Sequence, residues 1–270
     1  MPTPEFLLRK LNTALELPRG DRETLLRLLG SATHVRSGAL LAREGEPLAG
    51  GFVVGSGWAV RERLLSDGRR QVINFMLPGD LSHAGPFVGA TADHTVTALT
   101  DMTVLRFAPA AWAAAVRDSG TLSAALWWLA AHEEALLKEH VVALGRRAAK
   151  ERILYLVWEV WRRLTLVGLA TNGTFDFPVG YETLADASGM TPRHLGRVLN
   201  GLHEDGIIRF KAGILTILDH DRLRDACDCR DEHLRIVPIP EAARRAFETA
   251  GSADATSAPA AAAAPRMREP

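Results

Sequence analysis

The residues best equipped for chemistry lie between positions 181 and 211, in YETLADASGMTPRHLGRVLNGLHEDGIIRFK. Thr191 offers a side-chain oxygen to the free N–H groups that open a helix, and Pro192 suits the first helical position, so a helix is predicted to begin there. That start sets Thr191, Arg193, His194 and Arg197 on or near one exposed helix end. Hydroxyl, imidazole and guanidinium groups gathered there can bond to phosphate and base-edge acceptors, and an Arg fork matches the O6 and N7 of guanine. With Tyr181 as position one, Ala185 is the fifth residue, where two helices approach closely. Gly189 is the ninth, at a turn that needs a left-handed backbone. Leu184, Met190, Leu195 and Val198 fall where such a helix pair packs together. This is the pattern of a helix-turn-helix, whose second helix enters the major groove of DNA by its N-terminal end. GIIRF, KAG and ILTIL then read as a hairpin wing carrying Lys211. The candidate DNA-contacting set is therefore Tyr181, Thr191, Arg193, His194, Arg197 and Lys211. From 180 to 211, four basic residues (Arg193, Arg197, Arg209, Lys211) match four acidic ones (Glu182, Asp186, Glu204, Asp205). The basic groups sit on the second helix and wing, so a neutral total conceals a polarised face. Upstream, Arg146, Arg147, Lys150 and Arg152 either add phosphate contacts or solvate a helix end.

A second cluster is Cys227-Asp228-Cys229, with His220 and His233 nearby. Two thiolates need further ligands to complete a metal shell. The pair reads as a metal or redox site, or as two ordinary cysteines on a short helix. Two cysteines exclude a disulfide scaffold and a four-thiolate iron–sulfur cluster. No phosphate-binding Gly-Lys-Ser/Thr loop, HExxH or GxSxG elbow occurs, and the histidines are scattered, so the sequence reads as a non-enzyme.

The elements that must hold these residues follow from texture. The 270 residues are 47% hydrophobic and 24% charged, with 32 Lys plus Arg against 32 Asp plus Glu. Zero net charge excludes attachment to nucleic acid by bulk charge alone. No apolar run reaches the roughly 18 residues of a membrane span. The opening MPTPEFLLRKLNTALEL carries no apolar signal-peptide region, and the expected compartment is the cytoplasm. Two helical patterns, EFLLRKLNTALEL and DRETLLRLL with Asp21 as cap, precede residue 31. From there to 107, short apolar runs separated by Gly, Pro and Asp predict a β-roll. Asp67-Gly68 marks a tight primed hairpin turn, and Gly38, Gly45, Gly51, Gly57, Gly68 and Gly79 mark corners. A long helix follows, with Leu122, Leu126, Leu129, Glu133, Leu136, His140 and Ala143 at heptad-like spacing and Leu137, Val141 and Leu144 beside them. It either pairs with a second copy, with Glu133 and His140 setting register, or covers its own β-domain. Gly145 is expected to break it. The next helix turns Ile153, Leu156, Val157, Val160 and Trp161 inward, and an Asn172-Gly173 turn leads to a short strand, FDFPV. Residues 240–270, rich in Ala, Pro and Ser, are expected to be a disordered tail.

The order of β-roll, long helix and winged helix-turn-helix resembles the Crp/Fnr family of bacterial transcription regulators over about residues 20–225. ALLAREGEP, SDGRRQVINFMLPGDL, FPVGYETLADASGMTPRHLGRVLNGLHEDGII and LTILD carry the likeness. The resemblance implies an α+β chain. A cyclic-nucleotide-binding-like β-roll with its leading helices spans 1–118, a dimerisation helix 119–145 and a winged helix-turn-helix 146–225. It further implies a homodimer on a palindromic operator in double-stranded DNA, with RNA polymerase as a further partner. Cyclic-nucleotide-binding members hold the ribose with a Glu and the phosphate with an Arg. Here alignment on Gly79-Asp80 puts Ala84 at the Glu position, and Ala92 beside Asp93 falls near the Arg position. Cyclic AMP is thus not an expected ligand, and neither is an iron–sulfur cluster. Haem would need His83 or His94, which read as surface or roll-corner residues. Many members present Arg-Glu and, one turn farther along the second helix, another Arg. Here Arg193 takes the place of the Glu, and Arg197 matches the final Arg. Two other readings stand beside this one: a ligand-binding roll whose C-terminal domain contacts protein, and a regulator responding to redox or metal through Cys227 and Cys229.

Overall fold

The computed structural model describes residues 4–48, 50–82 and 91–253. Helices α1 (Glu5–Asn12) and α2 (Arg19–Leu28) lead into the sheets. The first is shorter than its apolar pattern, and the second starts directly after Pro18 rather than at an Asp21 cap. Pro18 holds extended backbone just before the helix, and Asp21 falls inside the first turn, where a carboxylate faces the positive helix end.

Among the described residues, seven strands form the roll: β1 (Ala32–Val35), β2 (Leu40–Ala42), β3 (Gly51–Ser56), β4 (Ala59–Leu64), β5 (Arg70–Met76), β6 (Thr95–Ala98) and β7 (Met102–Phe107). They pair antiparallel in two sheets, ordered β1-β7-β3 and β2-β6-β4-β5. Alternation along β3 sends Phe52 and Val54 into the roll with Met76, Val96 and Val104, while Val53 joins a cluster with α1. Five of the six corner glycines have positive φ. Gly51 does not, and is required instead because a Cβ there would lie 2.1 Å from the Phe107 ring. The Asp67-Gly68 hairpin joins β4 to β5, but not by a two-residue primed turn. Gly68 N–H bonds back to the Leu65 carbonyl and only Gly68 is left-handed, while the Asp67 carboxylate accepts from Arg69 N–H at 3.0 Å. That local Asp bond favours the longer loop.

Helix α3 (Pro109–Asp118) precedes α4 (Gly120–Arg146), which is capped by Ser119 and is 27 residues, about 40 Å, long. Gly145 remains helical, and the helix ends one residue later. Of the heptad positions, Leu122, Leu129, Leu136 and Ala143 are buried within this chain. Glu133 pairs with Arg61 at 2.7 Å and His140 with Glu159 at 2.5 Å. This row therefore covers the chain's own body. The adjoining stripe is the exposed one: Leu137, Val141 and Leu144 face solvent, with Trp127 at 67% exposure.

Helix α5 (Ala149–Val167) buries Ile153, Leu156, Val157 and Val160, with Trp161 partly covered. Beyond it come β8 (Thr174–Asp176), α6 (Tyr181–Ser188), α7 (Pro192–Glu204), β9 (Ile208–Lys211), β10 (Ile214–Ile217) and α8 (His220–Cys227). The three strands form one sheet in the order β8-β10-β9. One apolar core runs from the roll into this region, where Trp58 and Phe75 lie 5.7 and 6.4 Å, ring to ring, from Phe177. A 3₁₀ turn (Asp231–Leu234) and α9 (Glu241–Ala253) complete the described chain. Helix α9 corrects the expectation of a disordered tail from residue 240. Its Glu241 pairs with Arg244 and Arg245 one turn on, and Phe247 packs with the apolar cluster around α4. Residues 254–270 of that tail lie outside the described residues. Among the described residues no helix is long and apolar enough to cross a membrane.

Candidate nucleic-acid interface

The turn between α6 and α7 is built as the sequence requires. Gly189 has φ +61°, and Met190 N–H reaches the Ala185 carbonyl at 2.9 Å. Ala185 and Leu195 are fully buried, Leu184 and Val198 nearly so, and Met190 is partly covered. Thr191 caps α7, its hydroxyl accepting from His194 N–H at 3.2 Å. Arg193 is exposed with no ion-pair partner among the described residues. Arg197, also exposed, makes only a loose 3.4 Å bond to His194 Nδ1. These donors surround the positive end of a 13-residue helix, a natural seat for an anion.

Tyr181 and Lys211 belong to a different group. They line a 170 Å³ cleft with Asn200, His203 and Arg209, and the Tyr181 ring sits 6.2 Å from Phe210. The sequence reading omitted Asn200 and His203, and counted Arg209 among the basic residues of the helix and wing without placing it in the contact set. Their common cleft arises from the return of the wing onto α7, which no local spacing shows. Ala212 and Gly213 form the wing tip, both with positive φ. Upstream, Arg147 pairs with Glu139, Lys150 with Asp205, and Arg152 donates to the Ser188 carbonyl. Arg147 and Arg152 are half-buried and tie elements together, whereas Arg146 and Lys150 are exposed.

The reading domain is tied to the roll. Arg70 of β5 donates to Asp186 and Thr183 of α6. Deeper, Arg163 of α5 pairs with Asp80 and with Glu159, Lys10 of α1 reaches Asp80 at 2.8 Å, and Glu159 bonds His140 of α4. Burial alone would raise the Asp80 carboxyl, yet Arg163 and Lys10 hold it far below the usual carboxylate range. Burial likewise opposes charge on His140, but Glu159 raises its pKa. Arg61 of β4 completes the junction, donating to the Leu81 and Ser82 carbonyls at 2.7 Å and pairing with Glu133. The sequence reading had Asp80 only as part of a Gly-Asp landmark. Its partners stand 70 and 83 residues away along the chain, beyond any periodic signal.

At the would-be effector site, Ala92 is buried and Asp93 pairs with His94 at 2.7 Å. His83 and Ala84 lie outside the described residues. Cys227 and Cys229 are bonded to each other. No group of three or more metal-binding side chains occurs among the described residues.

Residues 32–119 match the family model for a cyclic nucleotide-binding domain, and residues 151–226 that for a Crp-like helix-turn-helix domain. The transcriptional activatory protein AadR of Rhodopseudomonas palustris is 30% identical over 219 residues, 80% of this chain and 88% of AadR. The nitrogen fixation regulation protein FixK of Bradyrhizobium diazoefficiens is 29% identical over 72% of this chain and 81% of its own. Among solved structures, FixK2 from Bradyrhizobium japonicum superposes with a TM-score of 0.67 at 28% identity, covering 75% of this chain and all of that one. These relatives are regulators of transcription, not enzymes. With a roll that matches the cyclic nucleotide-binding domain joined to a Crp-like helix-turn-helix domain, and with this likeness to AadR, the chain belongs to the Crp/Fnr family of DNA-binding transcription regulators.

Proposed function

We propose that the protein works as a homodimer in the cytoplasm, reads a palindromic operator through the N-terminal end of α7, and needs neither cyclic nucleotide nor metal to do so. The observation that carries the reading is the helix end itself, where Arg193 and Arg197 are exposed and, among the described residues, uncommitted to any carboxylate. Dimerisation is supported by the outer stripe of α4. Trp127, Ala130, Glu134, Leu137, Val141 and Leu144 recur at three- and four-residue steps and are all exposed. A second copy laid along this stripe would present two reading helices to half-sites about one helical turn apart. RNA polymerase is the expected further partner of such a regulator.

Independence from cyclic nucleotide is supported by Ala92 and Asp93, which give a phosphate no cation, and by Arg61. Arg61 itself bridges the Leu81 and Ser82 carbonyls of the roll and the Glu133 carboxylate of α4, each at 2.7 Å. Arg193, standing where many members have a Glu, gives the half-site a guanine preference in place of the cytosine that a carboxylate reads. The test is selection from random duplex DNA with and without cyclic AMP. The expected product is a palindrome enriched without nucleotide, altered from the common family half-site at the base pair facing Arg193. Enrichment only with cyclic AMP, or the common half-site unchanged, would overturn the respective claim.

A further inference from the structure

We propose that Cys227 and Cys229 form a reversible thiol–disulfide switch that fastens the C-terminal strap, residues 230–253, to the long helix α4. The inference rests on the regulator reading above, because DNA in the cytoplasm is read where thiols are kept reduced and a disulfide is a passing state rather than a permanent staple. A bond spanning two residues closes too small a ring to brace a domain, so its consequence is local.

Its setting gives that local consequence reach. Cys227 ends α8, Asp228 takes a left-handed conformation, and Cys229 returns to bond with Cys227 across a Cα separation of 5.2 Å. This reversal sets the direction in which the chain leaves the reading domain, just past the end of the Crp-like region at residue 226. The strap then crosses to the rest of the molecule. Asp231 takes both ends of the Arg162 guanidinium at 2.7 Å, and Leu234 is fully buried. On α4, His132 Nδ1 donates to the Leu234 carbonyl and Trp128 Nε1 to that of Arg235. Farther on, Ile239 N–H reaches the Ala14 carbonyl at 2.8 Å, and α9 lies along α4. The disulfide thus stands at the root of a segment that connects the reading domain to both α4 and the N-terminal helices.

Both sulfurs are in largely buried residues, yet Cys229 forms part of the wall of a surface cavity of 380 Å³, with Trp158, Trp161, Arg162 and His220. That cavity admits a small thiol. A thiolate RS⁻ attacks Cys229 Sγ, the Cys227–Cys229 bond breaks, and Cys227 leaves as thiolate and takes a proton. A second RSH resolves the mixed disulfide, so the protein gains two electrons and two protons and RSSR is released. A low-molecular-weight disulfide of the same class drives the reverse. Once reduced, the turn at Asp228 loses its closure, the strap detaches more readily from α4, and the reading domain is held less firmly in its DNA-binding pose.

The test compares the full chain treated with oxidised glutathione and with dithiothreitol, reading free thiols, hydrogen exchange and DNA affinity. The expected results are two thiols gained on reduction, faster exchange over 229–253 and over the facing surface of α4, and a loss in operator affinity of about fivefold or more. C227S/C229S and C227A/C229A, two variants in case one packs poorly, are expected to match the reduced form and ignore the reagent. Two free thiols under both treatments would overturn the switch, as would a bond that forms without altering exchange in the strap. Absence of DNA binding in both states, with the exchange difference intact, would remove the regulator reading and leave the redox-dependent docking standing.

Discussion

Arg163 and Arg193 are the same side chain in opposite settings. Arg163 lies at the junction of roll, α4 and reading domain, 4% exposed, paired with Asp80 and Glu159 and donating to the Phe75 carbonyl. Arg193 stands at the end of α7 with no carboxylate beside it among the described residues. A charge taken out of water must have its bonding capacity met inside the protein. A charge kept in water retains that capacity for a partner that arrives later. The difference separates groups that hold the molecule together from groups that do its reading, although both are arginines on helices.

Mutations can break or sharpen this contrast. The largest effect is expected of R163M, which leaves Asp80 and Glu159 buried without their shared cation and should cost about 3–5 kcal/mol in urea unfolding. A loss within experimental error would mean that the junction is not structural. Next is His132, buried on α4, where the pull of Glu133 only partly offsets the cost of burial. Burial first, and then Lys10, lowers its pKa to about 4. Because the unfolded imidazole takes a proton near its ordinary value and the folded one does not, this residue contributes stability at neutral pH. The contribution declines as pH falls from about 6.5 to 4. Its imidazole resonance, followed by NMR, should titrate near pH 4, and a midpoint near 6.5 would contradict the buried, neutral assignment.

On the exposed side the effects move from stability to recognition. R193A and R197A should each cost about 1–3 kcal/mol of operator affinity and relax preference at one base pair. Their urea midpoints should stay at the wild-type value, and a shared fall in both quantities would erase the distinction from Arg163. The smallest change is expected of K211A on the wing. Binding to all sequences should weaken alike, with the slope of log affinity against log salt reduced by about 1. A sequence-dependent loss would instead move Lys211 from phosphate to base contact.

The reading helix was legible because its requirements are local. A small residue at 185, a left-handed turn at 189, a cap at 191 and basic groups at 193 and 197 all fall within 13 positions. The roll was legible in kind from its short apolar runs, though not the loop at Asp67, where one side-chain bond to Arg69 overrides the tight-turn preference. The two rows of α4 were both visible, but periodicity cannot tell which one meets the parent chain. That depended on Arg61, 72 residues from Glu133, and on Glu159, 19 residues from His140. The helix at 241–253 was hidden for a similar reason. Its composition is that of a solvated tail, and it is held by contacts to α4 that lie more than a hundred residues back.

The contact of Trp58 and Phe75 with Phe177 also bears on how the chain can be divided. Sensor and reader in a two-domain regulator suggest modules that could be exchanged, yet here their apolar residues interleave in one core. A cut near residue 147 would expose aromatic faces on both fragments. Grafting a foreign roll onto this reading domain would require matching that aromatic seam, not only the linker. Loss and recovery of structure should accordingly be shared by the two halves, and damage to the roll becomes damage to the reader without any signal passing between them.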